Sequence, residues 1–367
     1  MTTLLLIFIV SVLLQLVYIW VIYSRLAFYK KSNEICRQDI PISIVICARN
    51  EYTNLKKHLP LILEQDYPIF EVIVVDHRSD DDTQFLLEDL KNKYSNLSVI
   101  SLTQDLNFFK GKKFPLSIGI KSAKYDNILL TDADCVPASD QWIRRMAVNI
   151  NNNVEIVLGY GAYKSCKGLL NKIIRFDTLK IAINYLSFAL IGFPYMGIGR
   201  NLAYKRDLFF KSKGFTSHYN IPSGDDDLFI NQVANKNNTC IEIDETSFTY
   251  SEPKKTYKEW IFQKTRHNKT GKYYKKSHLT LLGVETVSAY LFWILSILLL
   301  CLNYYPIIIA AAMVLRLGSQ LFMTKKLMQK LKEKGFWFYT PLFEIILLLH
   351  NFIFWLKGNK NKSYNWK

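Results

Sequence analysis

The sequence predicts an α/β fold, a mostly parallel sheet covered on both faces by helices, with membrane-spanning helices N-terminal and C-terminal to it. Three observations predict it. Between residues 40 and 250, short apolar runs rich in β-branched residues alternate with helical patterns, which is how βα units read. A twenty-residue uncharged stretch, Leu4–Tyr23, lies near the amino terminus, and from Leu279 the chain turns apolar again.

Leu4–Tyr23 is long enough, at about 1.5 Å per residue, for a hydrocarbon core of about 30 Å. It anchors an expected N-terminal transmembrane segment, residues 1–28. Arg25, Lys30, Lys31 and Arg37 follow it and nothing basic precedes it, so the positive-inside rule puts the next segment in the cytoplasm. The stretch outlasts a signal core and lacks a basic n-region and a cleavage site, so it is expected to stay attached.

Residues 40–250 form the expected soluble domain. Its strand candidates are Ile42–Cys47, Phe70–Val75, Leu97–Ser101 and Asn127–Thr131; helical patterns fall at Glu51–Glu64, Asp81–Lys93 and Lys112–Ala123. Ligands of such sheets bind beyond the carboxyl ends of the strands, where Asp76 and Asp132 sit. A basic juxtamembrane segment spans 251–278. A membrane hairpin is expected at 279–323 (Leu279–Leu302 and Tyr305–Met323), turning near Asn303–Pro306. Its two charges, Glu285 and Arg316, lie at similar depth, about 10 Å in, and are expected to pair or to snorkel separately. A basic loop, 324–335, leads to 336–356, a fourth span or a re-entrant helix. The tail, 357–367, is rich in lysine.

The net charge of +16 calls for an anionic partner. Because the basic residues crowd near apolar segments, lipid and phosphate are expected and nucleic acid is not. Six cysteines without CxxC spacing read as thiols rather than a disulfide framework. The sequence lacks both GxxxxGK[ST] and a GxGxxG after a strand, which disfavours nucleotide hydrolases and dinucleotide oxidoreductases.

Four clusters carry possible chemistry. Asp76, at a strand end, suits hydrogen bonds from a nucleotide's base or ribose, whereas Asp80–Asp82 suit a helix cap. Asp132-Ala133-Asp134 follows a buried strand, and its paired carboxylates suit a hard divalent cation, Mn²⁺ or Mg²⁺. Gly224-Asp225-Asp226-Asp227 precedes a helical pattern at Leu228–Ala234; capping needs one acid, and three point to a general base. Gln263-Lys264-Thr265-Arg266-His267 lies in the basic stretch Lys254–Lys276, which reads as a lipid-bound segment or as a diphosphate-binding one. Residues 163–197, with the apolar Ile181–Phe193, read equally as a core helix or as an interfacial ledge for a lipid-linked acceptor.

Taken in order, these motifs resemble the family 2 glycosyltransferases with a GT-A (Rossmann-like) fold, in particular the membrane-embedded branch. Ile42–Glu51 looks like the family's first strand and Asn-Glu turn, Val74–Thr83 like its nucleotide-binding segment, and Asp132–Asp134 like its metal-binding DxD. Lys112, Lys113 and Gly119 sit in its GKxxALNxG-like stretch. Gly199–Tyr204 resembles the acceptor-side GGNLAF segment, Asp225–Leu228 the acidic motif, and Gln263–His267 the QxxRW motif. The resemblance implies an inverting transferase. Arg49, Glu51, Asp76, Lys112, Asp132, Gln263 and Arg266 would bind the nucleotide-sugar donor, and Asp132 and Asp134 the metal. Gly199, Arg200, Asn201 and His267 would face a lipid-linked or glycan acceptor. Asp225 or Asp226 is the expected base, with Asp227 third. The implied location is the cell inner membrane, with the catalytic domain cytoplasmic. His77 replaces a second Asp and His267 a tryptophan, and the acidic motif reads GDDDL in place of EDxDL. A processive polysaccharide synthase and a non-catalytic scaffold of the same fold are the competing readings.

Overall fold

The computed structural model describes residues 1–30, 39–103, 111–151 and 153–357. Lys31 and Arg37, and the lysine-rich tail beyond Lys357, lie outside the described residues.

The strand candidates form where expected: β1 (Ile42–Ala48), β2 (Phe70–His77), β3 (Leu97–Leu102) and β4 (Asn127–Leu130). Among the described residues, six further strands are β5 (Cys135–Pro137), β6 (Ile156–Gly159), β7 (Gly161–Tyr163), β8 (Leu202–Lys205), β9 (Thr239–Glu242) and β10 (Thr249–Ser251). Seven strands form one sheet in the order β3-β2-β1-β4-β8-β6-β9, parallel except for β8. The remaining three form a small sheet, β5-β10-β7.

Every residue of β1 is buried, so its side chains alternate between two cores. Ile44 and Ile46 pack with Leu55, Leu59, Leu87 and Trp142 on one face. Val45 and Cys47 pack on the other, in a core shared with the Lys113–Ser122 and Leu169–Leu190 helices. That second core runs on into Tyr18–Leu26 of the first long helix and into Met323, Leu327 and Phe343. The soluble domain and the apolar helices therefore share one core.

Among the described residues, four helices are long and apolar enough to cross a membrane: Thr2–Ala27, Lys276–Cys301, Pro306–Lys330 and Trp337–Phe354. The expected pairing of Glu285 with Arg316 is wrong. Glu285 accepts from Lys180 Nζ at 2.6 Å, while Arg316 holds Glu344 with both terminal nitrogens, at 2.7 and 2.8 Å. The direction in which each helix presents its charge decides the partner.

The Leu169–Leu190 helix is buried along most of its length between sheet and apolar helices. Its burial is that of a core helix, and several of its residues also line the main cavity.

Candidate active site

Parallel strands deliver their carboxyl ends to one edge. Ala48 of β1 pairs with Asp76 of β2, and β4 ends at Leu130 opposite Val45, so Arg49, Asp76 and Asp132 all leave the sheet there. Because β8 runs antiparallel to β4, with Leu202 opposite Leu130, its leading residues Gly199-Arg200-Asn201 reach the same edge. Thr131 Oγ1 fixes this approach by donating to the Arg200 carbonyl at 3.1 Å. The small sheet holds the metal-type loop from beyond: Cys135, next to Asp134, pairs with Ser251 in β10.

A cavity of about 1070 Å³ opens at this edge, large for a single ligand site. Its wall includes Arg49, Glu51, Lys112, Asp132, Asp134, Gly199, Arg200, Asp225, Asp226, Asp227, Gln263, Arg266 and His267. Of the expected site residues only Asp76 and Asn201 are absent from it. Asp76 sits at the edge with its carboxylate accepting from Ser79 Oγ at 2.5 Å, outside the wall.

The expectation for Asn201 needs correction. Its side chain is fully buried: Oδ1 accepts from Trp142 Nε1 at 3.0 Å, and Nδ2 donates to the carbonyls of Tyr160 and Ser247 at 3.0 and 2.8 Å. It ties the two sheets together and has no donor left for an acceptor. Gly159 makes room for it, since a Cβ there would stand 2.5 Å from the Asn201 amide carbon.

Asp132 and Asp134 place carboxylate oxygens within 4.8 Å of each other and of Cys135 Sγ. Burial alone would raise Asp132, but Lys112, which is ion-paired to it, holds its carboxyl below the usual range. Asp134 goes the other way, pushed up by burial and then by the charge of Asp132. Burial and the two carboxylates keep the Cys135 thiol protonated, so it is a poor ligand beside two hard oxygens. Two close carboxylates, one of them disfavoured as an anion by the other, fit Mn²⁺ or Mg²⁺.

Across the cavity the three acids differ. Asp226 Oδ2 accepts from the Gly199 amide at 2.7 Å and Oδ1 from the Asp227 amide at 2.8 Å. Burial, then Asp225 and Asp227, push its pKa up to about 7. Asp227 is buried and committed, taking the hydroxyls of Thr270 and Tyr274 and the Leu228 amide. Asp225 lines the cavity between these groups and Lys112. Lys113 secures the preceding loop by donating to the carbonyls of His218 and Ile221, the latter at 2.9 Å. Gly111 must be a glycine for the same approach: its φ is +92°, and a Cβ would meet the Pro222 carbonyl oxygen at 2.3 Å.

The Tyr257–Asn268 helix starts with a Thr256/Glu259 capping box. Spacings of three and four put Gln263, Arg266 and His267 on one face, toward the cavity. Lys264, on the same wall, is held by Asp177 at 2.8 Å, where both side chains are largely buried. Arg266 Nη2 donates to His267 Nε2 at 3.2 Å. Tyr163 joins two motifs, accepting from Gln263 Nε2 at 3.1 Å under the Arg200 guanidinium, 4.5 Å above its ring. Sequence reasoning missed Tyr163, Thr270 and Tyr274; none carries a motif, and only the folded arrangement gives them their partners.

Residues 43–213 match the profile of Glycosyl transferase family 2. A poly-beta-1,6-N-acetyl-D-glucosamine synthase of Staphylococcus epidermidis is 28% identical over 33% of this chain and 30% of its own length. Glycosyltransferase AglE of Haloferax volcanii is 28% identical over 32% of this chain and 38% of its own. The chain thus spans about a third of each of these relatives. Among solved structures, mannosyltransferase PcManGT from Pyrobaculum calidifontis, in complex with GDP-Man and Mn²⁺, superposes with a TM-score of 0.63 at 17% identity, covering 98% of this chain and 99% of that one. It shares the fold. Residues 43–213 thus carry a Glycosyl transferase family 2 domain, on a fold shared with that mannosyltransferase.

Proposed function

We propose that this protein transfers a sugar, with inversion, from a nucleotide-sugar donor to a hydroxyl of a lipid-linked or glycan acceptor at the cytoplasmic face of the membrane. One observation carries the reading: Asp132 and Asp134, the acids Asp225–Asp227, and Gln263, Arg266 and His267, from three distant stretches, line a single cavity. The acceptor oxygen attacks the anomeric carbon and its proton passes to Asp226. The bond from that carbon to the diphosphate oxygen breaks, and the electron pair leaves with the diphosphate. Asp226 suits the base role because it faces the cavity and its raised pKa is near neutrality. Asp225 is the second candidate, and Asp227 positions the segment after the Gln-Arg helix. Arg266 supplies fixed positive charge where negative charge develops. Asp132 and Asp134 would hold Mn²⁺ or Mg²⁺, which neutralises diphosphate charge as a Lewis acid; the neighbour described with GDP-Man and Mn²⁺ supports both donor class and cation.

His267, in place of the tryptophan expected to stack on an acceptor sugar, favours single transfer over processive synthesis. The scaffold reading loses support because the metal-type, acidic and Gln-Arg motifs all meet in the cavity. The test is release of nucleoside diphosphate from GDP-mannose and UDP-N-acetylglucosamine, with and without Mn²⁺. Asp134→Asn and Asp226→Asn are expected to stay folded and membrane-bound while turnover falls about 100-fold or more. Full activity in both variants overturns the site.

A further inference from the structure

The wall of the cavity also takes in residues from all four long apolar helices. Its polar groups there are chiefly amides and hydroxyls, such as Gln15, Tyr23, Thr286, Gln320, Thr324 and Asn351, set among Ile19, Leu282, Met323 and Leu327. Charges occur on this part of the wall, but each is cancelled. Lys180 meets Glu285 at 2.6 Å, and Tyr23 also donates to that carboxylate. Arg316, only 1% exposed, is held by Glu344 at 2.7 and 2.8 Å and by the amide oxygens of Gln15 and Gln320. Among the described residues, the two cations that the core helix and the apolar helices put on the wall, Lys180 and Arg316, each have a carboxylate partner, and Lys264 beside them is held by Asp177.

The reacting end imposes a second condition. Asp225, Asp226 and Asp227 all reach the wall where the acceptor oxygen must arrive. An alcohol needs a base there. A phosphate oxygen is already ionised, gains nothing from a base and is repelled by three acids. To settle in the helix-lined part, a phosphate must also take Arg316 from Glu344 or Lys180 from Glu285, leaving a buried carboxylate uncompensated.

We propose that the helix-lined part of the cavity holds a lipid acceptor whose head is an uncharged sugar or polyol, and that it excludes lipid phosphates. The proposal rests on the glycosyl-transfer reading and specifies its acceptor.

The test uses the full chain in phosphatidylcholine nanodiscs, with a fluorescent alkyl glucoside displaced by dodecyl β-D-glucoside or by dodecyl phosphate. The glucoside is expected to compete at a concentration lower by about tenfold or more. Equal or tighter competition by the phosphate overturns the proposal. Glu344→Gln, which frees Arg316, is expected to narrow that gap by raising the affinity for phosphate; an unchanged gap counts against the charge argument. Ala289→Trp, which fills the cavity from the second long helix, is expected to weaken glucoside binding, and glucoside affinity kept in a variant that melts as a folded protein places the lipid elsewhere. Should either variant fail to fold, the comparison of the two probes on the unmodified chain still decides. Binding of GDP and UDP with Mn²⁺ on the same discs separates the two readings. Nucleotide bound with phosphate preferred overturns the acceptor proposal alone, whereas neither nucleotide bound overturns the transferase reading beneath it.

Discussion

Asp226 carries two backbone hydrogen bonds and two carboxylate neighbours, and these pull in opposite directions. The amides of Gly199 and Asp227 favour the anion; burial and the charges of Asp225 and Asp227 oppose it and win, leaving the pKa at about 7. A base must be deprotonated to act, so kcat/KM is expected to rise with pH through about 7 and level off above it. Asp225→Asn removes one repelling charge, so the inflection should move to lower pH. An inflection that stays in place would assign the titration to another group. Asn201 makes the opposite case, a motif residue without a place in the cavity. Asn201→Ala leaves the Trp142 ring N–H and the Ser247 carbonyl unpaired in the interior, while the Tyr160 carbonyl keeps the Thr249 amide, at a cost of about 2 kcal/mol or more. Thermal unfolding should show that loss while turnover per folded molecule is kept; the reverse pattern would restore Asn201 to the acceptor side.

At the scale of elements, an ion pair at the edge of the cavity wall sets how the Tyr257–Asn268 helix presents its binding residues. Successive helical residues point about 100° apart, so fixing Lys264 against Asp177 sets the direction of Gln263, Arg266 and His267. Lys264→Ala removes that fix and leaves Asp177 buried without its cation. Donor KM is expected to rise several-fold, beyond what the drop in melting temperature explains; an unchanged KM would show that packing of Trp260 alone orients the helix. The same contrast governs what could be read from the sequence. β1, β2 and β4 were legible because parallel strands buried on both faces are continuous apolar runs, and the long apolar helices were legible for a similar reason; β3, an edge strand with only Leu97 buried, was legible from its short β-branched run. β5, β7 and β10 have three residues each, too few to show a period, and they pair only after distant segments meet. The residues nominated by the motifs, Asp76 and Asn201 apart, line the cavity, but they make up only part of its wall. The motif order could not show that Asn201 turns inward, because that follows from the space left by Gly159.

For the molecule as a whole, soluble domain and membrane helices are joined by polar contacts as well as by a shared core. Gln15 of the first helix donates to the Glu285 carbonyl and Ser288 of the second, and its amide oxygen accepts from Arg316 of the third, which holds Glu344 of the fourth. Outside the helices, Glu333 between the third and fourth accepts from Tyr160 at 3.0 Å and is ion-paired with Arg175 of the long core helix. Such a network responds to single changes more than to paired ones. Arg316→Met strands the Glu344 carboxylate in an apolar bundle and is expected to cost about 3–5 kcal/mol, whereas Arg316→Met with Glu344→Leu should recover most of that. Exchanging the two charges should also recover stability in part, because the bidentate contact can form in reverse, while exchanging Arg316 with Glu285 should not. Melting of detergent-solubilised protein, followed by size-exclusion chromatography, measures all four variants. Rescue by the Glu285 exchange and not by the Glu344 exchange would mean that the two hairpin charges face each other, and the helix directions that connect the bundle to the cavity would have to be redrawn.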